Sequence, residues 1–112
     1  MKTIIYEAFL HRNFEVNGFK DGEIIDTTGV RTYNKQECIK EAKKEFANIY
    51  SNKQEYARMC KDNNATSIDI AIESFTIEYD GIKLIPTDDL YDTEYEEEYN
   101  DYICSIDESN YK

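Results

Sequence analysis

His11 is the only histidine in the 112 residues, so the chain has little material for a histidine-dependent nucleophile or a histidine-based metal centre. Placed beside Arg12 at the end of the first apolar run, it reads as a surface residue. Cysteine is also scarce. Cys38, Cys60 and Cys104 are odd in number, far apart and form no CxxC pair, which argues against a disulfide framework or a structural zinc site and fits a reducing cytoplasm. No apolar stretch approaches the roughly 18 residues of a membrane span. Residues 1–10 are interrupted by Glu7 and lack a small-residue cleavage site, so they make a poor secretion signal. A soluble, cytoplasmic protein is expected, and Asn64-Ala65-Thr66 is then a chance glycosylation match.

Other absences narrow the chemistry further. GxxxxGK[ST], GxGxxG and GxSxG are missing, which removes the anchors of phosphate-cradling and hydrolase sites. The carboxylates after Asp88 do not follow the calcium-loop pattern, with Leu90 at the third position and no glycine at the sixth. Glu73 and Glu78 are strand carboxylates that could pair as acid and base, but nothing selects them from 24 acidic side chains. No catalytic residue, metal or cofactor is expected.

What the chain does contain is enough apolar material for one core. Apolar residues make up 40% and aromatics 13%, with ten Tyr and five Phe. That is not the composition of a disordered chain. Residues 3–10 are apolar on both alternating sets, as in a central strand buried on both faces. Asn17-Gly18 and Asp21-Gly22 are turn signals flanking Phe19, and residues 23–26 form a short returning strand. Asn34 with Glu37 has the form of a capping box ahead of Ile39, Ala42, Phe46, Ile49 and Tyr50, giving a helix over residues 35–50. Lys35, Lys40, Lys43, Lys44, Lys53, Arg58 and Lys61 alternate there with acids, as on a solvated face. Ser51 caps a second, shorter helix ending at residues 62–64. Ile68, Ile70 and Ile72 then alternate and change parity to Phe75, Ile77 and Tyr79, which calls for a bulge near Glu73-Ser74. Asp80-Gly81 turns that strand into residues 82–85 before Pro86, the only proline, stops it.

The composition changes at Pro86. Residues 1–86 read as the α+β core, and residues 87–112 as an acidic, Tyr-rich segment of the same domain. After Thr87 stand ten acidic residues, Asp88, Asp89, Asp92, Glu94, Glu96, Glu97, Glu98, Asp101, Asp107 and Glu108, against Lys112 alone. This segment thus holds −9 of the total −11, leaving −2 (14 acidic against 12 basic) on the first 86 residues. Tyr91, Tyr95, Tyr99 and Tyr102 recur at intervals of four, four and three, one face of a helix capped by Thr87. Like-charge pairs four apart, such as Glu94 with Glu98 and Glu97 with Asp101, oppose that helix, so burial of the Tyr stripe has to hold it. The alternative is a final strand over residues 102–106. The eight carboxylates from Asp88 to Asp101 would give about one charge per 2.5 Å of helix, near the density of duplex DNA at one per about 1.7 Å. Such a surface suits the Lys/Arg groove of a nucleic-acid-binding protein, with no direct binding of nucleic acid. The bland reading is an acidic tail that only solubilises; five Tyr among ten acids weigh against it.

The stretch Asp88-Asp89-Leu90-Tyr91-Asp92-Thr93-Glu94-Tyr95-Glu96-Glu97-Glu98-Tyr99-Asn100-Asp101-Tyr102, about 15 of 112 residues, resembles in composition the acidic segments of phage-encoded DNA-mimic inhibitors, anti-CRISPR proteins in particular. The resemblance implies a stoichiometric, non-enzymatic inhibitor acting in the bacterial host cytoplasm on the basic surface of a CRISPR effector. Its partner-binding residues would be Asp88, Asp89, Asp92, Glu94, Glu96, Glu97, Glu98 and Asp101, with Tyr91, Tyr95 and Tyr99. The fold expected is α+β: a small antiparallel sheet packed by one long and one short helix, with an acidic C-terminal helix or strand.

Overall fold

In the computed structural model, which describes residues 2–78 and 96–111 (of Glu96, Asn110 and Tyr111 the backbone alone), the first hairpin is longer than the sequence suggests. Strand β1 spans Lys2–Val16 and β2 spans Phe19–Thr32. They are joined at Asn17-Gly18, whose φ values of 52° and 84° provide the two positive dihedrals of a two-residue hairpin turn. The second turn signal, Asp21-Gly22, lies inside β2, paired with Phe14 and Asn13. A glycine is required there for another reason: a Cβ would stand 2.6 Å from Cε1 of His11.

Helix α1 (Lys35–Ser51) begins where the capping residue places it, with Asn34 Oδ1 accepting from the Glu37 amide at 2.9 Å. Helix α2 (Lys53–Asp62) is capped by Asn52, which accepts from the Glu55 amide at 3.2 Å, while Ser51 closes α1 instead. Asn64, at φ 51°, leads the chain out of α2. Strand β3 (Ser67–Glu78) then returns beside β1, and β4 (Glu96–Ile106) beside β3. The result is a four-stranded antiparallel sheet in the order β2-β1-β3-β4. With the two helices this is the α+β architecture that the patterning implies. The expected strand over residues 82–85 and its Asp80-Gly81 turn lie outside the described residues.

Both helices follow β2, and α1 covers one face of the sheet. Cys38, Ala42 and Phe46 of α1 are buried against Ala8, Ile70, Ile72 and Ile106. On the opposite face Ile5 and Ile77 are fully buried with Tyr33 and Phe75 packed against them. This two-sided burial explains the parity change along β3. Its first three isoleucines serve the helix face, and Phe75 and Ile77 serve the other. β3 itself pairs with β1 without interruption from Ser67 to Glu78, so it has no bulge of its own there. The irregularity falls in β4, where Ile103 and Asn100 are passed over between Ile72↔Cys104, Glu73↔Tyr102, Ser74↔Asp101 and Phe75↔Tyr99. No helix among the described residues is long and apolar enough to cross a membrane.

Candidate functional site

The acidic Tyr segment enters the described structure as a strand. From Glu96 to Ile106 the chain is β4, the outermost of the described strands on that side, so a helix carrying Tyr99 and Tyr102 is ruled out. A strand also removes the four-residue like-charge contacts that a helix would impose on Glu97 and Asp101. Asp88, Asp89, Tyr91, Asp92, Glu94 and Tyr95 lie outside the described residues, and of Glu96 only the backbone is described.

Strand alternation distributes the remaining candidates over both faces. Glu98 and Asp101, opposite Thr76 and Ser74, are on the face that carries the helices, and both are exposed. Asn100, bulged between them, exchanges hydrogen bonds of 2.8 and 3.0 Å with the Thr76 hydroxyl. Glu97, Tyr99 and Tyr102, opposite Ile77, Phe75 and Glu73, share the other face. Tyr99 and Tyr102 are 53% and 51% exposed, so the burial that a helix would have required is absent for these two rings.

That second face combines aromatic rings with charges. Phe9, Phe75 and Tyr99 meet edge to face across β1, β3 and β4, with ring centroids 6.0 and 5.6 Å apart. Partial burial and the nearby Glu73 carboxylate push the Tyr99 phenol up from its ordinary value. The Tyr102 hydroxyl is 2.6 Å from Ser105 Oγ. Glu97 is drawn into the structure: Arg31 Nη2 donates to it at 3.3 Å, and Arg31 Nε stands 2.8 Å from Glu7. Thr27 donates to Glu7 at 2.6 Å. Burial raises the Glu7 carboxyl, while Thr27 and Arg31 pull it back down and Glu97 adds to the rise.

His11 is no plain surface residue. Its Nδ1 lies 2.9 Å from Asp69, with side-chain exposures of 24% and 13%. Asn13 donates to both Asp69 and Ser67 at 3.1 Å. Ser67 is thereby held by the amide and has no hydrogen bond to the imidazole, which turns its Nε2 towards Gly22. A nucleophile, base and orienting acid are therefore not in sequence. Glu73 and Glu78, five residues apart on an unbulged strand, point to opposite faces and cannot form an acid–base pair. Among the described residues no group of His, Cys, Asp or Glu converges as a metal site. A cleft of about 110 Å³ is lined by Lys2, Thr76, Glu78, Glu97 and Glu98.

What sequence reasoning missed is Glu73, Phe9 and Phe75 as neighbours of the tyrosines. Phe75 is legible as a strand residue, but its partnership with Tyr99 depends on the β4 register. No protein-family model, curated protein or solved structure matches this chain. The fold and site thus define a small α+β protein with an acidic, tyrosine-bearing outer strand.

Proposed function

We propose that the protein is a non-enzymatic inhibitor that offers its acidic C-terminal segment to the basic nucleic-acid-binding surface of a bacterial defence protein, as anti-CRISPR DNA mimics do. The observation that carries this reading is the exposure of Glu98, Asp101, Tyr99 and Tyr102 on the outermost described strand, within the segment that holds −9 of the net charge of −11. Carboxylates held on a strand meet lysine and arginine with less ordering cost than a floppy tail would. The two bulges in β4 and its run of like charges oppose plain strand-to-strand association, which favours recognition through side chains.

A second reading is supported by a different surface. Val16 and Phe19 face each other at the tip of the first hairpin and are 53% and 78% exposed. They suit a general protein-interaction module whose acidic segment only solubilises it.

The test is capture of a partner from bacterial lysate at low and high salt, followed by inhibition of that partner's nucleic-acid binding. Capture weakens steeply with salt on the first reading. Glu98→Lys with Asp101→Lys, which spares the Arg31 network, abolishes it. Capture that survives both salt and this double reversal, but is lost on Phe19→Ser, supports the second reading instead.

A further inference from the structure

We propose that Glu73, Tyr99 and Tyr102 form a receptor for a guanidinium group, the side chain of an arginine on a partner protein. This rests on the reading above and specifies which cation the second face of the sheet selects. Three observations support it.

First, the two rings are fixed and still half-exposed. Tyr99 packs edge-on against Phe75, and the Tyr102 hydroxyl is tied to Ser105. An exposed tyrosine ordinarily samples several rotamers, and rings held in place lose little further freedom when a cation settles on them. Second, Glu73 stands directly opposite Tyr102 in the ladder and next to Phe75, the partner of Tyr99, on the same face, so its carboxylate is near both rings. Among the described residues no lysine, arginine or histidine forms an ion pair with it. Third, the local charge is unbalanced. Glu7, Glu73, Glu97 and Asp69 share this face with Arg31 and His11; Arg31 is committed to Glu7 and Glu97, and His11 faces Asp69. The complement of the site is therefore a cation.

Guanidinium fits better than ammonium. Its plane can lie on a tyrosine ring while its edge gives N–H donors to a carboxylate, whereas an ammonium is a compact, strongly hydrated point charge. The two oxygens of the Glu73 carboxylate offer acceptor positions for that edge.

The experiment titrates the full chain with an oligo-arginine peptide and an oligo-lysine peptide of equal length, at one ionic strength, following the Tyr99 and Tyr102 ring resonances by NMR. The expected result is tighter binding of the arginine peptide, with shifts at both rings. Tyr102→Leu and Glu73→Gln each weaken arginine binding roughly three- to tenfold and narrow the difference between the peptides. Tyr99→Phe keeps the ring and most of the affinity, which guards against a Tyr99→Leu variant that fails to fold. Glu98→Gln with Asp101→Asn lowers both peptides alike. Equal affinity for the two peptides, or variants at Glu73 and Tyr102 that weaken both equally, overturns the proposal. Partner capture lost on changing Glu98 and Asp101 but untouched at Glu73 and Tyr102 sinks the receptor and leaves the inhibitor reading standing. An arginine preference without any captured partner does the reverse.

Discussion

Arg31 on β2 and Glu97 on β4 meet at 3.3 Å although β1 and β3 lie between their strands. Three steps of about 4.8 Å part these two strands by about 14 Å, so the long Arg31 and Glu97 side chains have to reach over β1 and β3 to touch. Glu7 of β1 completes the link at 2.8 Å from Arg31 Nε. The ion network thus fastens the acidic strand to the far edge of the sheet, and one of the expected partner-facing carboxylates serves the fold.

Removing Arg31 should cost more than removing its outer partner. Arg31 and Glu7 side chains are 5% and 9% exposed, so Arg31→Leu leaves a buried carboxylate without its cation and lowers stability by about 3–5 kcal/mol. Glu97 is 38% exposed, and Glu97→Gln costs under about 1 kcal/mol. Urea midpoints of the two variants check the order, and a larger loss at Glu97 would contradict it.

Glu7 also gives the stability a pH dependence of definite sign. Burial, the largest influence, raises its folded-state pKa above the ordinary 4.5. Between those two values the native state binds the proton more readily than the unfolded chain, so Glu7's contribution falls as pH rises through the window. It is most favourable below 4.5 and least favourable above the raised folded value. The stability of the wild type relative to Glu7→Gln should therefore decline with increasing pH across this range. A flat or rising difference would show that Thr27 and Arg31 outweigh desolvation.

Gly22 tests the packing of His11. In Gly22→Ala the new methyl meets Cε1 and Nε2 of the imidazole at 2.6 and 2.7 Å, so the ring has to turn away from Asp69. A loss of about 1–3 kcal/mol is expected. Restoration of most of it in Gly22→Ala with His11→Ala, measured by thermal or urea unfolding, would identify the ring as the obstacle.

Much of the architecture was legible because local chemistry and tertiary packing agree. Asn34 with Glu37 fixes the start of α1, and Asn17-Gly18 fixes the first turn. β4 was not legible, for a physical reason. Tyr99 and Tyr102 are three residues apart, which reads as helix, since in a regular strand that spacing puts them on opposite faces. The bulged Asn100 absorbs one residue and returns both to one face, so a bulged strand and a helix give the same sequence pattern here. The long-range register that decides between them is set by Phe75 and Glu73, over 20 residues away in sequence. The same dependence hid Glu73 as the carboxylate opposite Tyr102.

Cys38 offers a probe of global opening. Its side chain is fully buried against Ala8, Ala42 and Phe46, and desolvation pushes its thiol up to about 12, despite a hydrogen bond with Thr32 that works in the other direction. The thiolate is the reactive form, so at mildly alkaline pH Cys38 is shielded twice, by access and by protonation. Cys60 and Cys104 are only partly buried, though burial raises Cys104 as well. With an aromatic disulfide reagent under native conditions, Cys60 and Cys104 should react first and Cys38 only through unfolding, at a rate that climbs with urea in step with the global transition. Because α1 seals one face of the sheet through this residue, Cys38 exposure measures detachment of the helix from Ile70 and Ile72. A Cys38 rate equal to that of the other two thiols and insensitive to urea would mean that α1 lifts from the sheet without unfolding the rest.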